Sequence, residues 1–312
     1  MKIVITGGTG FIGQALCTTL VQGGHRVTAL TRPTGQLHHR PELPVQAVEW
    51  NARDSGPWEQ VLEGADAVIN LAGAPIAEAR WTTARKQLIT DSRVITTRLL
   101  VRALSRWSSK PVTFISASGI GYYGTSDTRS LDEGAARGQG FLADLCLAWE
   151  AEALRAAEFG ARVVLLRTGM VLERDGGALA KMVLPFKLFA GGPIMPGIQW
   201  VSWIHRRDHI GLIEWALANN RIAGPLNAVA PEAVTMKDFC MRLGRALRRP
   251  SWIPVPEFVL KLALGELGSM MTTGQRVTPK KAIEGGYTFQ YPTLESALQT
   301  IFPDRTALGR AV

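Results

Sequence analysis

Short apolar runs and helix-spaced apolar positions alternate along the first half of the chain. The segments "KIVIT", "HRVTALT", "ADAVINLAG", "PVTFISASG" and "ARVVLLRTG" are rich in β-branched residues and are typical of buried strands. Between the first two, apolar residues from Phe11 to Leu20 recur at helical spacing, and Gly23 with Gly24 ends that helix. Buried strands that alternate with helices predict βαβ units and therefore a doubly wound parallel α/β sheet.

The pattern changes after Arg167. The stretch "LFAGGPIMPGIQW" is a Gly- and Pro-rich loop, "SWIHRRDHIGLIEWALAN" returns to helical spacing, and "GPLNAVA" is typical of a short strand. We therefore predict a first domain over residues 1–168, to which 204–230 return. Residues 169–312 are predicted to form a smaller mixed α/β domain that closes over the sheet as a substrate-binding lid.

The turn after the first strand carries the pattern GxxGxxG, with Gly7, Gly10 and Gly13 in "ITGGTGFIG". In a strand–turn–helix context such glycines permit a tight turn, a close approach of the backbone to a pyrophosphate, and close helix packing. The context predicts a Rossmann-type dinucleotide site rather than a ligand-free turn. The residues that we expect to contact the cofactor here are Gly7, Thr9, Gly10, Phe11, Ile12 and Gly13.

The end of the second strand predicts which dinucleotide is bound. An NAD site has an acidic residue there for the ribose hydroxyls. This chain has Thr31 followed by Arg32, so a guanidinium is available for a 2′-phosphate and NADP(H) is favoured. The alternative is that Arg32 is a solvated loop residue. Leu71, Ala72 and Gly73 in "NLAG" are expected to pass beside the cofactor's ribose.

Composition excludes several functional classes. The chain has 46% hydrophobic and 20% charged residues, as in ordinary globular proteins, and no apolar run long enough to cross a membrane. Three distant cysteines without metal-ligand spacing predict neither disulfides nor a metal site. The net charge of +9 is spread along the chain without a nucleic-acid-binding motif. Since "MKIVITGG" is no signal peptide, we expect a cytoplasmic protein.

Taken together, these motifs resemble the extended short-chain dehydrogenase/reductase superfamily, and longer stretches resemble its "epimerase family protein" subfamily. The stretches are "NLAGAPIAEARWTTARKQLITDSRVITTRLL", "GGPIMPGIQWVSWIH" and the tail from "LGRALRRPSW" to "TLESAL", which together span nearly the whole chain. The tail is similar to the small C-terminal domain of that subfamily. The resemblance implies nucleoside-diphosphate-sugar epimerase-like chemistry, a small-molecule substrate such as a nucleotide-linked sugar, and compatibility with a homodimer.

In that superfamily a Ser, a Tyr and a Lys carry the reaction. Ser118 matches the Ser, whereas counting back from Glu150 places Leu142 at the Tyr position and Cys146 at the Lys position. Since "GQGFLADLCLAWEAEALRAAEFG" contains neither Tyr nor Lys, the usual acid/base pair is missing. Tyr122 or Tyr123 is therefore a candidate acid/base, with packed structural tyrosines as the alternative.

Several other residues are candidates for the site. Arg93 falls at the position of an Asn that is common in the superfamily, where a cation could bind phosphate or lower the pKa of a tyrosine. Candidate substrate-binding residues are Arg80, Trp200, Trp203 and His205, with core packing of the tryptophans as an equal alternative.

Two functional hypotheses follow. One is an NADP(H)-dependent oxidoreductase or nucleotide-sugar epimerase with a non-standard acid/base. The other is a non-catalytic NADP(H)-binding sensor or partner-binding protein. The missing Tyr/Lys pair favours the second hypothesis, and the substrate domain favours the first.

Overall fold

The computed structural model describes residues 1–33, 44–107 and 112–303, without the side chains of 127 and 128. The strands are β1 (Lys2–Thr6), β2 (Arg26–Thr31), β3 (Gln46–Glu49), β4 (Ala67–Asn70), β5 (Thr113–Gly119), β6 (Ser126–Leu131), β7 (Arg162–Thr168), β8 (Met170–Leu172), β9 (Trp200–Val201), β10 (Trp203–His205), β11 (Gly224–Ala228), β12 (Val234–Thr235) and β13 (Gln275–Val277). The helices are α1 (Phe11–Gln22), α2 (Thr83–Trp107), α3 (Phe141–Leu154), α4 (Gly177–Lys187), α5 (Arg206–Ala218), α6 (Met236–Leu247), α7 (Glu257–Leu264), α8 (Glu266–Met271), α9 (Lys280–Glu284) and α10 (Leu294–Ile301).

Seven strands form one sheet in the order β11-β7-β5-β4-β1-β2-β3. Across the sheet, each adjacent pair in the series β3-β2-β1-β4-β5-β7 is parallel. The apolar runs in the sequence are the buried centres of these strands, and the helix-spaced segments cover the faces. This architecture confirms the predicted Rossmann-type α/β fold.

The chain divides into two compact units. Unit 1 contains Met1–Tyr122, Arg137–Thr168 and Ile210–Leu226, and unit 2 contains Tyr123–Ala136, Gly169–His209 and Asn227–Val312. The short segment 123–136, which the sequence pattern placed in the first domain, falls in unit 2. The domain limits 1–168 and 169–312 stay a prediction.

Each unit has its own apolar core. In unit 1, Val68, Phe114 and Leu165 from the sheet pack against Leu100 and Leu104 of α2. In unit 2, Phe239 and Leu243 of α6 pack with other fully buried side chains around Trp203. These cores fix the strand ends of unit 1 and the small strand pairs of unit 2.

The described ranges hold neither a metal-binding cluster nor a helix fit to cross a membrane. No group of three His, Cys, Asp or Glu side chains there is placed to hold a metal ion. Among the helices of the same ranges, none combines the length and the apolar character that a membrane crossing needs.

Candidate functional site

The strand order of unit 1 reverses at β1, and this position defines a crevice at the carboxyl edge of the sheet. From β1 the chain continues to β2 and β3 on one side and returns to β4, β5 and β7 on the other. Ligands of open α/β sheets bind outside the carboxyl ends of the strands at such a switch point. The segments that follow β1, β2, β4 and β5 therefore define the candidate site.

Two glycines, one in the turn after β1 and one in the first turn of α1, have no space for a side chain. Gly7 has φ +71°, and a Cβ on it would lie 2.7 Å from the Leu71 carbonyl oxygen. A Cβ on Gly13 would lie 2.1 Å from the Gly7 carbonyl oxygen. Gly10 begins α1 without a side-chain cap, and the first turn holds no acidic residue. The positive end of this 12-residue helix is therefore suited to a phosphate.

The other glycine-turn residues predicted from the sequence lie at the same helix start. Thr9 is half-buried before α1, and Phe11 and Ile12 are half-buried in its first turn. The Thr9 carbonyl oxygen accepts a hydrogen bond of 2.7 Å from Gln14 Nε2, which fixes the turn against the helix.

The end of β2 combines a buried hydroxyl with an exposed cation. Thr31 is 3% exposed, and its Oγ1 has no hydrogen-bond partner in the part of the chain described. Arg32 follows directly and is exposed. An orphan hydroxyl beside a guanidinium, without an acidic residue in the strand, fits a ribose that carries a 2′-phosphate.

The end of β4 is held by a chain of buried hydrogen bonds. Thr6 Oγ1 donates to Asn70 Oδ1 at 2.7 Å, and Asn70 Nδ2 donates to Thr97 Oγ1 at 2.8 Å. Trp149 Nε1 donates to the same Thr97 oxygen at 2.9 Å. The chain thus links β1, β4, α2 and α3. The "NLAG" segment is positioned by its asparagine, while Leu71 and Ala72 are half-buried and Gly73 is exposed.

Arg93 of α2 lies against this segment. A Cβ on Gly73 would lie 2.9 Å from Arg93 Cζ, so the glycine makes room for the guanidinium. Arg93 is 8% exposed, and burial lowers the pKa of its guanidinium to about 10. Its Nη1 donates to the Ile89 carbonyl oxygen at 3.1 Å, whereas its Nε has no partner among the described residues.

Ser118, at the end of β5, has its hydroxyl bound to a buried carboxylate. Its Oγ donates to Glu150 Oε1 at 2.6 Å. Arg167 of β7 donates to both oxygens of the same carboxylate, each at 2.8 Å, and both residues are at most 5% exposed. A bidentate pair of this kind fixes Ser118 as a donor to Glu150, so its oxygen remains as an acceptor toward other groups.

The Tyr and Lys positions inferred from the resemblance hold an apolar side chain and a buried thiol. Leu142 packs at Gly121, where an added Cβ would lie 2.9 Å from the leucine Cβ. Cys146 Sγ lies 3.6 Å from the Gly119 carbonyl oxygen, and burial raises the pKa of the thiol. Neither side chain can act as an acid/base near neutral pH.

The two candidate tyrosines differ in their environment. The Tyr122 ring lies under Arg167, with Cζ 3.4 Å from the ring centroid, and it lines a cleft of about 260 Å³ beside α3. Tyr123 belongs to unit 2, is 3% exposed and donates its hydroxyl to Asn227 Oδ1 at 2.7 Å. The Tyr123 phenol is therefore used in an internal hydrogen bond, and Tyr122 is the more accessible of the two.

The four candidate substrate residues differ in their burial and contacts. Arg80 is exposed in unit 1. In unit 2, Trp200 is half-buried with Arg276 Cζ 4.9 Å from its ring, and Trp203 is fully buried in the core. His205 is 1% exposed, stacks on Tyr291 at 4.0 Å between ring centroids, and has its pKa lowered to about 4 by burial. Packing therefore accounts for Trp203 and His205.

Two residues of the site were missed as functional candidates in the sequence. In the sequence, Glu150 was used only to locate the Tyr and Lys positions on its helix, and Arg167 only as the point after which the strand–helix pattern changes. An arginine inside the apolar run "ARVVLLRTG" and a glutamate on an apolar helix were the signals, because buried charges occur as pairs.

Known proteins similar to this chain agree with the fold. A sequence model of the NAD dependent epimerase/dehydratase family matches residues 3–228, and a domain of unknown function, DUF1731, matches residues 255–301. The epimerase family protein YfhF of Bacillus subtilis is 42% identical over 306 residues, covering 98% of this chain and 99% of the relative.

Solved structures extend the comparison. Human epimerase family protein SDR39U1 (isoform 2), crystallised with NADPH, superposes with a TM-score of 0.85 at 35% identity, covering 97% of this chain and 100% of that one. The UDP-glucuronic acid 4-epimerase of Bacillus cereus, in complex with UDP-glucuronic acid and NAD, has a TM-score of 0.75 at 19% identity, covering 99% and 100%. The second likeness shows the fold alone. The chain belongs to the NAD dependent epimerase/dehydratase family.

Proposed function

We propose that the protein binds NADP(H) and acts as an oxidoreductase or epimerase on a small carbonyl or nucleotide-linked sugar, without the Tyr/Lys pair of the superfamily. The end of β2 carries the cofactor part of this proposal: Thr31 and Arg32 stand where an NAD site has a carboxylate. The human relative that was crystallised with NADPH supports the same choice.

Bound NADP(H) supplies a hydride donor or acceptor. The residues of this chain that would hold it are the glycine turn and helix start for the pyrophosphate, Arg32 for the 2′-phosphate, and the "NLAG" segment on the far side of β1. Ser118 then presents an acceptor oxygen to a hydroxyl or amide of the ligand, because its proton is directed to Glu150.

Calorimetric titration with NADPH and NADH tests the cofactor. Arg32→Ala is expected to weaken NADPH binding by about 1–3 kcal/mol, because a charge-assisted contact to the 2′-phosphate is lost. NADH binding should change little. Equal losses for both cofactors would contradict a 2′-phosphate contact, and absence of binding by the wild type would refute the cofactor proposal itself.

A second candidate is an NADP(H)-binding protein without turnover. The hydrogen bond from Ser118 to Glu150 favours it, since a serine fixed in a buried ion pair also serves structure alone. Turnover of a panel of carbonyl and nucleotide-sugar substrates separates the two. Activity that disappears in Ser118→Ala while NADPH binding persists supports the enzyme, and no activity together with tight NADPH binding supports the binding protein.

We further propose a homodimer through α2 and α3, which pack side by side in unit 1. Leu88 and Ile95 on α2, and Leu147 and Leu154 on α3, are each seven residues apart and at least 39% exposed. Leu147→Lys should shift the mass in light scattering toward the monomer, whereas Leu262→Lys, a control in unit 2 that is 79% exposed, should not.

A cytoplasmic location stays a proposal that cell fractionation would test.

A further inference from the structure

Arg93 is a buried cation without a buried anion. Its guanidinium makes hydrogen bonds of 3.1 and 3.4 Å to two neutral oxygens, those of the Ile89 carbonyl and the Ser92 hydroxyl, and its Nε is unsatisfied within the described residues. The Trp149 ring lies 5.3 Å from Cζ. The structure gives it no ion pair in the ranges described, and the positive charge of Arg85 adds to burial in lowering its pKa.

Such an arrangement is costly for the free protein. A buried charge is normally paired with an opposite charge, and a cation–π contact at this distance compensates only part of the desolvation. A buried arginine in such surroundings indicates a ligand that supplies the missing hydrogen bonds and counter-charge.

The position of Arg93 indicates which part of a dinucleotide would be near. Arg93 lies against Gly73 after β4, whereas Arg32 lies after β2, on the opposite side of the switch point at β1. A dinucleotide extends across this crevice with one half on each side. If Arg32 receives the 2′-phosphate of the adenosine half, Arg93 is on the side of the nicotinamide half.

Besides Trp149, Cys146 of α3 is a neighbour of Arg93. The thiol and the guanidinium are close enough to influence each other's pKa, and Cys146 occupies the position that the resemblance assigns to the catalytic lysine. The sequence therefore has a neutral residue on α3 where a cation is expected, and a cation on α2 where a neutral asparagine is expected.

We infer that Arg93 supplies from α2 the positive charge that binds the nicotinamide half of the dinucleotide, in place of a lysine on α3. The inference rests on the proposed binding of NADP(H). Arg93 would then replace the cation that α3 lacks. Binding of the dinucleotide would also explain why Arg93 has no counter-charge within the described protein.

The test uses two ligands that separate the halves of the cofactor. NADPH contains both halves, and adenosine 2′,5′-bisphosphate contains only the adenosine half. Arg93→Met is expected to weaken NADPH binding about 10- to 100-fold and to leave adenosine 2′,5′-bisphosphate unchanged. Arg32→Ala should weaken both ligands. Arg98→Met is the matched control on the same helix, because Arg98 is already paired with Glu152 at 2.6 Å.

Two further variants distinguish ligand binding from a structural role. Without ligand, Arg93→Met should melt at the wild-type temperature or higher, since an uncompensated charge is removed, whereas a structural arginine would lower the melting temperature. The exchange Arg93→Asn with Cys146→Lys should recover NADPH binding to within several-fold of wild type. Wild-type NADPH affinity in Arg93→Met, or its loss accompanied by a lower melting temperature of the free protein, would overturn the inference. A wild type that binds neither ligand would instead refute the proposed function on which it rests.

Discussion

Helix α3 contacts two buried arginines whose environments differ in one decisive respect. Arg167 is 2% exposed and has a bidentate carboxylate partner in Glu150. Arg93 is 8% exposed and has only neutral oxygens and an aromatic ring in the described part of the chain. Burial alone is therefore a poor guide to role, because the fold compensates the charge of Arg167 and leaves that of Arg93 uncompensated within the described residues.

The largest expected loss of stability comes from removing the carboxylate partner of Arg167. Glu150→Gln should lower the free energy of unfolding by about 3–5 kcal/mol, because it leaves the buried Arg167 guanidinium without a counter-charge. Urea denaturation measures the change.

Glu152→Gln is the control on the same helix. Glu152 pairs with Arg98 and Arg155, whose side chains are 41% and 49% exposed, so its loss should stay within about 1 kcal/mol. Equal losses of unfolding free energy in the two variants would contradict this expectation, because they would show that solvent screens the Glu150–Arg167 pair as strongly as a surface pair.

Unlike these arginines, the buried histidines of unit 2 are expected to make the stability of the protein depend on pH. Burial lowers the pKa of His205 and of His209 to about 4 in the folded protein, while an unfolded histidine titrates near 6.5. The unfolded chain therefore binds more protons in this window, and stability should fall as the pH decreases from about 6.5 to about 4, by up to roughly 3 kcal/mol per ring. Asp208 offsets part of this loss, because burial raises the pKa of its carboxyl.

The pH dependence of urea denaturation checks this expectation. In His205→Gln the decline between pH 6.5 and pH 4 should become clearly shallower, since one of the two titrating rings is absent. An unchanged slope would mean that the His205 ring is solvated in the native protein.

The smallest expected effect belongs to Ser118, the link between the ion pair and the crevice. Ser118→Ala should lower the free energy of unfolding by about 1.5 kcal/mol, since one hydrogen bond to a carboxylate is lost while Arg167 still holds Glu150. Ser116→Ala, in the same strand, should cost less, because the Ser116 hydroxyl makes only a 3.4 Å contact. A loss for Ser118→Ala above that for Glu150→Gln would mean that the serine, and not the arginine, holds the carboxylate.

Local patterns in the sequence determined the fold class and the glycine turn after β1. Buried strands and helical periods depend on neighbouring residues, so six strands of the sheet and its parallel α/β class were predictable, whereas the partly exposed strand β3 was not named. Gly7 and Gly13 were predictable for the same reason: the turn that needs them lies within seven residues, and their positions leave no room for a Cβ.

The tertiary structure alone decided which polar residues face a partner within the protein. Ser118 and Glu150 are 32 residues apart, and Arg167 follows 17 residues later, so no local period brings them together. From the sequence, Trp203 and His205 were candidates for substrate binding, with core packing of the tryptophans as an equal alternative, and the structure buries both against α6 and Tyr291. The sequence determines which side chains are available, and the long-range packing determines which of them are satisfied and which, like Nε of Arg93 among the described residues, are not.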